Sequence, residues 1–190
     1  MEALKEKIVI EGKVIGMGIV KVDKFLNHQI DVEFMERIGR EFRTRFADVE
    51  VDKILTVEAS GIAVACMTAQ HFGYPPVVFA KKTIPSTMTD EFYGAEAASF
   101  TKGSVSILRI AKEYLCEGER VLILDDFLAH GQASLALAEL VKQAGGQVAG
   151  IGAVIEKAFQ GGGQRLRDQG YRLESLAVIK KIQDGTIIFM

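Results

Sequence analysis

The chain has 190 residues, 48% of them hydrophobic and 25% charged, with a formal net charge of −2. That balance is the profile of a soluble globular protein of one domain, long enough to bury a proper core. It offers no basic stripe for nucleic acid and no apolar run of membrane-spanning length. Cys66 and Cys116 stand too far apart to suggest a disulfide framework or a zinc spacing.

The first residues, Met1 to Lys7, are charged and amphipathic and do not read as a secretory signal, so a cytoplasmic location is expected. Residues 2–10 read as a short helix closed by Gly12, and 15–27 as an irregular stretch with some β character. Asp31 can cap a helix whose apolar positions Phe34, Met35, Ile38, Phe42 and Phe46 recur at three- and four-residue spacing. Lys53–Val57 is a strand, followed by the small-residue turn Glu58–Gly61 and an apolar helix over 62–72. Such a turn can bring backbone amides against an anion, although most Ser-Gly turns are only turns. Gly73 and Pro75-Pro76 stop the helix before the next strand, Val77–Ala80.

Residues 81–95 are polar with little periodicity and read as a long loop of the functional or mobile kind. Strand patterns return at 105–110 and again at Val121–Leu124. The second of these is the most informative part of the chain. Asp125 and Asp126 follow its four apolar residues, and a short turn through Ala129, His130 and Gly131 leads into the helical pattern 134–142. A strand, an acidic pair, a small-residue turn and a helix N-terminus make a site for a ribose phosphate. The carboxylates can take two ring hydroxyls, and the amides of Gly131 to Ala133 can take a phosphate on the helix dipole. After the helix, 147–155 reads as a buried strand ending in Glu156-Lys157, and 171–179 and 186–189 as shorter β segments.

Strands alternating with helices predict an α/β fold with a mostly parallel sheet covered on both faces. Ligands in such sheets bind beyond the carboxyl ends of the strands. Glu58–Gly61, Lys81-Lys82, Asp125–Ala133 and Lys157 each follow a strand on that side, and their coincidence predicts an active site. One of Lys81 and Lys82 can neutralise a second phosphate, and Lys102 is a further candidate cation. Lys157 can donate to a carbonyl oxygen of a planar ligand, with Phe159 as a stacking face. The same spacing fits a surface lysine and a rim core residue equally well.

The strand-Asp-Asp-turn-Gly-helix segment resembles the diphosphosugar-binding motif of type I phosphoribosyltransferases. Further segments are similar to bacterial xanthine phosphoribosyltransferases: Phe25–Asp31, Phe79–Lys82, Ser99–Lys102, Val141–Gly145, Gly150–Gly152, Ile155–Lys157 and Tyr171–Ala177. Together they span most of the chain. The resemblance implies a type I phosphoribosyltransferase fold over 1–190, with a mostly parallel central sheet flanked by helices. A small hood would be formed by N- and C-terminal segments, its N-terminal part being 1–48, and 81–95 would be the mobile loop. It implies a pentosyltransferase that joins xanthine to ribose 5-phosphate from 5-phosphoribosyl 1-diphosphate. Ala129, His130, Gly131, Gln132 and Ala133 would cradle phosphate, with Asp125, Asp126 and Lys81 also serving the diphosphosugar, and Val20, Asn27, Lys157 and Phe159 would serve the purine. Mg²⁺ would arrive with the diphosphate and meet the ribose hydroxyls, without direct protein ligation. The family is homodimeric, cytoplasmic and serves purine salvage.

The chain departs from the family pattern in having His130 where Asn is expected and Val20 where Leu is expected. A cradle working through backbone N–H groups tolerates the first, and the second changes only packing. Many 6-oxopurine relatives carry an Asp four residues after the first acidic residue of the pair. That slot is Ala129 here, so no general base is assigned; xanthine is acidic enough to arrive partly as an anion. The nearest rival is an enzyme for guanine or hypoxanthine, with the hood around Asn27 discriminating. A regulator on the same fold would need an N-terminal DNA-binding domain, and only about 50 residues without a basic recognition helix precede the first core strand. A dinucleotide oxidoreductase would need Gly-x-Gly-x-x-Gly after the first strand, which is missing.

Overall fold

The computed structural model describes residues 1–16, 18–83, 91–99 and 104–190. Lys102 and residues 84–90 of the expected loop lie outside the described residues.

The N-terminal helix α1 (Glu2–Glu11) is followed by a hairpin of two short strands, β1 (Lys13–Ile15) and β2 (Ile19–Lys21). A π-helical turn, Asp23–Asn27, leads to α2 (Val32–Arg45), whose first free amides are capped as expected: Phe34 N–H donates to Asp31 Oδ1 at 3.0 Å. The core then alternates: β3 (Lys53–Val57), α3 (Gly61–Ala69), β4 (Val77–Ala80), a ribbon of β5 (Phe92–Ser99) and β6 (Ser104–Ala111), β7 (Arg120–Leu128), α4 (Gln132–Gln143), β8 (Gln147–Lys157), α5 (Gly162–Asp168), β9 (Leu173–Gln183) and β10 (Thr186–Phe189). The six-stranded sheet has the order β10-β9-β8-β7-β3-β4, parallel throughout except for β10.

A parallel sheet with crossover helices is buried on both faces, and side chains alternate between them. Ile54, Leu122, Leu124 and Val154 therefore point into a core shared with α1, α2 and α3, while Leu55, Val121, Ile123 and Ile151 meet α4 and the β5–β6 ribbon. The glycines of Gly150-Ile-Gly152 have a packing reason. A Cβ at Gly150 would stand 2.5 Å from the Phe46 ring, and one at Gly152 would stand 2.7 Å from the ring of Phe42. The phenylalanine stripe of α2 thus beds directly onto β8.

Chain ends meet at the hood. The Met1 ammonium donates to Leu176 O at 2.6 Å and Lys5 Nζ to Met190 O at 2.9 Å, joining α1 to β9 and the C-terminus. Lys7 bridges Glu11 and Asp31, at 2.8 and 2.9 Å. Among the described residues no helix is long and apolar enough to cross a membrane.

Three sequence expectations need correction. Phe92–Ala95, placed in the loop, belong to β5 and pair residue by residue with Leu108–Ala111. Their small residues, Gly94 and Ala95, hid the alternation that marks a strand. The strand expected over Val121–Leu124 runs on to Leu128, so the acidic pair lies inside β7 rather than beyond it. Likewise β9 continues to Gln183, where it turns back into β10.

Candidate functional site

Two adjoining cavities open at the carboxyl edge of β3 and β7. The larger, about 370 Å³, is walled by the β3 turn (Glu58, Ala59, Ser60), by Lys82 after β4, by Asp125 and Asp126 of β7, by Ala133, and by the ribbon residues Ala97, Ala98, Ser106 and Leu108. The smaller, about 190 Å³, is walled by Phe127 to Ser134 together with Asp125 and Ala98. Asp125, Ala98 and Ala133 face both. Asp125 thus sits between a cavity rimmed by the β3 turn and one rimmed by residues 127–134, while Asp126 faces the first of them.

The cradle is shaped by one glycine. Gly131 adopts φ 79°, ψ 5°, a left-handed conformation that lets the chain leave β7 and enter α4 at once. The α4 N-terminus carries no side-chain cap, so its first amides are available to an anion, favoured by the helix dipole.

Asp125 is 7% exposed and Asp126 8%. Burial pushes the Asp125 carboxyl well above the ordinary carboxylate range, and the Asp126 charge beside it adds to the shift. The Asp126 N–H donates to Asp125 Oδ1 at 2.9 Å and opposes that shift, as does the more distant Lys82 ammonium. A buried acid held this way is poised to ionise when a cation or hydroxyl donors arrive.

Of the two lysines after β4, the structure puts Lys82 on the cavity wall, not Lys81. The Lys81 backbone is bridged to Arg109 by two hydrogen bonds of 2.9 Å, and its ammonium stands 5.9 Å from the Phe79 ring centroid. Neighbouring residues of an extended chain point opposite ways, and the bridge decides which way each faces. Glu58 Oε1 accepts the Lys82 N–H at 2.6 Å, tying the β3 turn to this corner.

The expected purine residues come together less completely. Lys157, at the end of β8, donates to Gly18 O at 3.0 Å, so the β1–β2 hairpin that carries Val20 bends over the sheet edge. Burial lowers the Lys157 ammonium below its ordinary range. Val20 is buried, Asn27 is exposed at the end of the π-helical turn, and Phe159 is 41% exposed in the short turn Ala158–Gln160. None of these four lines either cavity. The aromatic ring that Lys157 covers is Phe127, 5.3 Å from Nζ to the centroid, on the wall of the cradle cavity. Phe127 was not singled out from sequence. Its signal was parity, two residues beyond Asp125 on one strand. The ribbon residues left no such signal.

Among the described residues no three His, Cys, Asp or Glu side chains converge as a metal-ligating group. The two buried carboxylates at the cavity wall fit a hard divalent cation whose remaining oxygens come from a ligand.

A family profile described as a phosphoribosyl transferase domain matches residues 22–184. Over 189 residues the chain is 53% identical to xanthine phosphoribosyltransferase 1 of Clostridium perfringens, covering 100% of each. It is 51% identical to the xanthine phosphoribosyltransferase of Clostridioides difficile, again covering 100% of each. Among solved structures, the adenine phosphoribosyltransferase of Thermoanaerobacter pseudethanolicus aligns with a TM-score of 0.75 at 27% identity, over 92% of this chain and 98% of that one.

Proposed function

Because the chain belongs to the phosphoribosyltransferase family, we propose that it joins xanthine to 5-phosphoribosyl 1-diphosphate, giving xanthosine 5′-monophosphate and diphosphate. The observation that carries this reading is the buried carboxylate pair at two adjoining cavities, Asp125 facing both, one rimmed by the cradle and the other by the β3 turn, Lys82 and Asp126. The 5′-phosphate goes to the amides of Ala129–Ala133, the ribose hydroxyls to Asp125 and Asp126, and the diphosphate to the turn Glu58–Gly61 beside Lys82.

Breaking the anomeric C–O bond builds positive charge on the ribose ring and sends negative charge to the leaving diphosphate. Lys82 and the backbone amides of the β3 turn neutralise the second, and the ionised acid pair holds the hydroxyls of the first. Mg²⁺ brought with the diphosphate would supply further neutralisation of departing charge, with Asp125 and Asp126 as the residues present to receive it. Asp125 gives up its proton as the sugar binds, since the ribose hydroxyls donate to its carboxylate and offset the burial and the Asp126 charge that raise its affinity for that proton. Lys157 donates to the purine oxygen at C6, exchanging Gly18 O for the ligand, while Phe127 offers a face. Asn27 lies on the hood turn and can offer its amide to the oxygen at C2. With Ala129 in the slot of a general base, xanthine enters partly as its anion. A cytoplasmic homodimer in purine salvage belongs to the same reading.

Diphosphate release from 5-phosphoribosyl 1-diphosphate, measured with xanthine, guanine, hypoxanthine and adenine in parallel, tests the proposal. Turnover efficiency is expected to be highest with xanthine. A preference for guanine or hypoxanthine moves the chain to a sister specificity, and a lack of release with all four removes the enzyme reading.

A further inference from the structure

The cradle is held from outside. Gly162 N–H donates to Ala129 O at 3.0 Å, and Arg165 Nη1 donates to His130 O at 3.2 Å. His130 Nδ1 lies 3.2 Å from Gln160 O. Two successive carbonyls of the turn are therefore drawn toward the start of α5. In a trans peptide the carbonyl and the following N–H point in opposite directions. Drawing His130 O toward Arg165 turns the Gly131 N–H away from α5. Among the described residues that amide has no acceptor, and Gly131 lines the cradle cavity.

The approach of α5 is as close as backbone allows. A Cβ on Gly162 would overlap Ala129 O and stand 2.5 Å from Gly131 N and 2.6 Å from the His130 carbonyl carbon. The helix is fixed in turn by a buried carboxylate. Glu156, 2% exposed, accepts from Arg167 at 3.3 and 3.2 Å and from Ser175 Oγ at 2.6 Å.

We propose that Gly162 and Arg165 are positioning residues for 5′-phosphate recognition, orienting the His130–Gly131 peptide so that its amide meets the phosphate. This rests on reading Ala129–Ala133 as the cradle. Arg165 acts through the His130 carbonyl without touching substrate, and Gly162 acts by admitting α5 to contact distance.

The test compares the affinities of xanthosine 5′-monophosphate and xanthosine, by calorimetry, for wild type, Arg165→Ala, Arg165→Lys and Gly162→Ala. Their ratio isolates what the phosphate contributes. In wild type the ratio is expected to exceed about a hundredfold, the gain of several hydrogen bonds to a charged group; a ratio near one overturns the cradle reading itself. With that ratio in place, Arg165→Ala should lower it by about tenfold with xanthosine binding unchanged, and Arg165→Lys, which keeps a donor, should restore most of it. The loss should persist at about 1 M salt, where the screening length is ~3 Å. A loss that vanishes in salt marks a long-range cation and overturns the positioning role. So does an unchanged ratio, or an equal weakening of both ligands. Gly162→Ala should lower the ratio further. Because Arg165 is exposed, its variants keep the test decisive even where Gly162→Ala does not fold.

Discussion

The proposed sugar-phosphate end and the proposed purine end of the site are built in different ways. The first comes from one continuous segment, in which β7 carries the acidic pair, the turn at Gly131 redirects the chain and α4 presents its amides. The second is assembled from β8 with Lys157 and from the N-terminal hairpin with Val20 and the turn with Asn27 that follows it, the two regions being linked by the 3.0 Å bond from Lys157 to Gly18 O. Recognition by backbone amides is fixed with the fold and indifferent to side-chain identity. Recognition by side chains drawn from a hood depends on how that hood closes, and so carries specificity.

Removing the charges of the contiguous end should have the largest effect. Asp125→Asn with Asp126→Asn keeps side-chain size and abolishes both anionic acceptors. Charge-assisted hydrogen bonds contribute roughly 1.5–3 kcal/mol each, so turnover of 5-phosphoribosyl 1-diphosphate should fall at least about a hundredfold while the protein stays folded. Near-normal activity in the folded double variant removes the acidic pair from the site.

At the hood end the expected signature is a change of ratio more than of rate. Lys157→Ala should weaken xanthine, guanine and hypoxanthine alike, by about tenfold to a hundredfold, because all three carry the C6 oxygen. Asn27→Ala should instead erase most of the preference for xanthine over hypoxanthine, since an unpaired amide no longer penalises the analogue without the C2 oxygen. Relative turnover efficiencies across the three bases distinguish the two variants, and unchanged ratios in Asn27→Ala would reduce Asn27 to a loop residue.

Titration sharpens the contrast further, because Asp125 brings a strongly shifted buried carboxyl to the contiguous end. Burial and the Asp126 charge raise Asp125, so its protonated form is favoured in the free folded protein. Its contribution to stability is full below the ordinary carboxylate range and is lost as pH rises through the raised value. Substrate acts in the opposite sense, since ribose hydroxyls and a metal-diphosphate favour the anion. Binding of the diphosphosugar should release a proton below the raised value and tighten as pH climbs toward it. Calorimetry in two buffers of different ionisation enthalpy measures that proton. Asp126→Asn removes the neighbouring charge and should move the pH dependence downward; a profile identical to wild type would exclude Asp125 as its source.

The same division explains what could be read from sequence. The α/β order and the turn from β7 into α4 were legible because local chemistry marks them: apolar runs, the Asp31 cap, Gly131 before a helix. The extension of β7 through Asp125 and Asp126 was not, since carboxylates inside a buried strand contradict propensity and are tolerated only beside a ligand cavity. Lys81 and Lys82 are neighbours of one type, and the bridge to Arg109 that turns Lys82 to the wall forms across 27 residues. For Phe127 the sequence holds only its parity with Asp125, and the face it presents becomes visible once β8 brings Lys157 above it. Of the expected purine residues, Val20 and Asn27 rest on family resemblance alone, whereas Lys157 and Phe159 follow also from their place after a buried strand, and neither cavity gathers the four.

The smallest effect expected comes from His130, one of the two residues that depart from the family pattern. His130 lies in the cradle, yet its imidazole Nδ1 turns back to Gln160 O at 3.2 Å, and its carbonyl is taken by Arg165. What His130 offers the phosphate on this geometry is backbone. An asparagine there shares the tolerance for turn conformations and can still reach toward a nearby carbonyl. His130→Asn should therefore change the affinity for 5-phosphoribosyl 1-diphosphate by less than about tenfold, ~1.4 kcal/mol. The measurement is direct binding across pH 5–8, the range in which an imidazole that touched phosphate would gain charge and tighten the complex. A hundredfold loss, or a pH dependence present in wild type and gone in His130→Asn, would show the ring itself at work and would place side-chain recognition at the contiguous end as well.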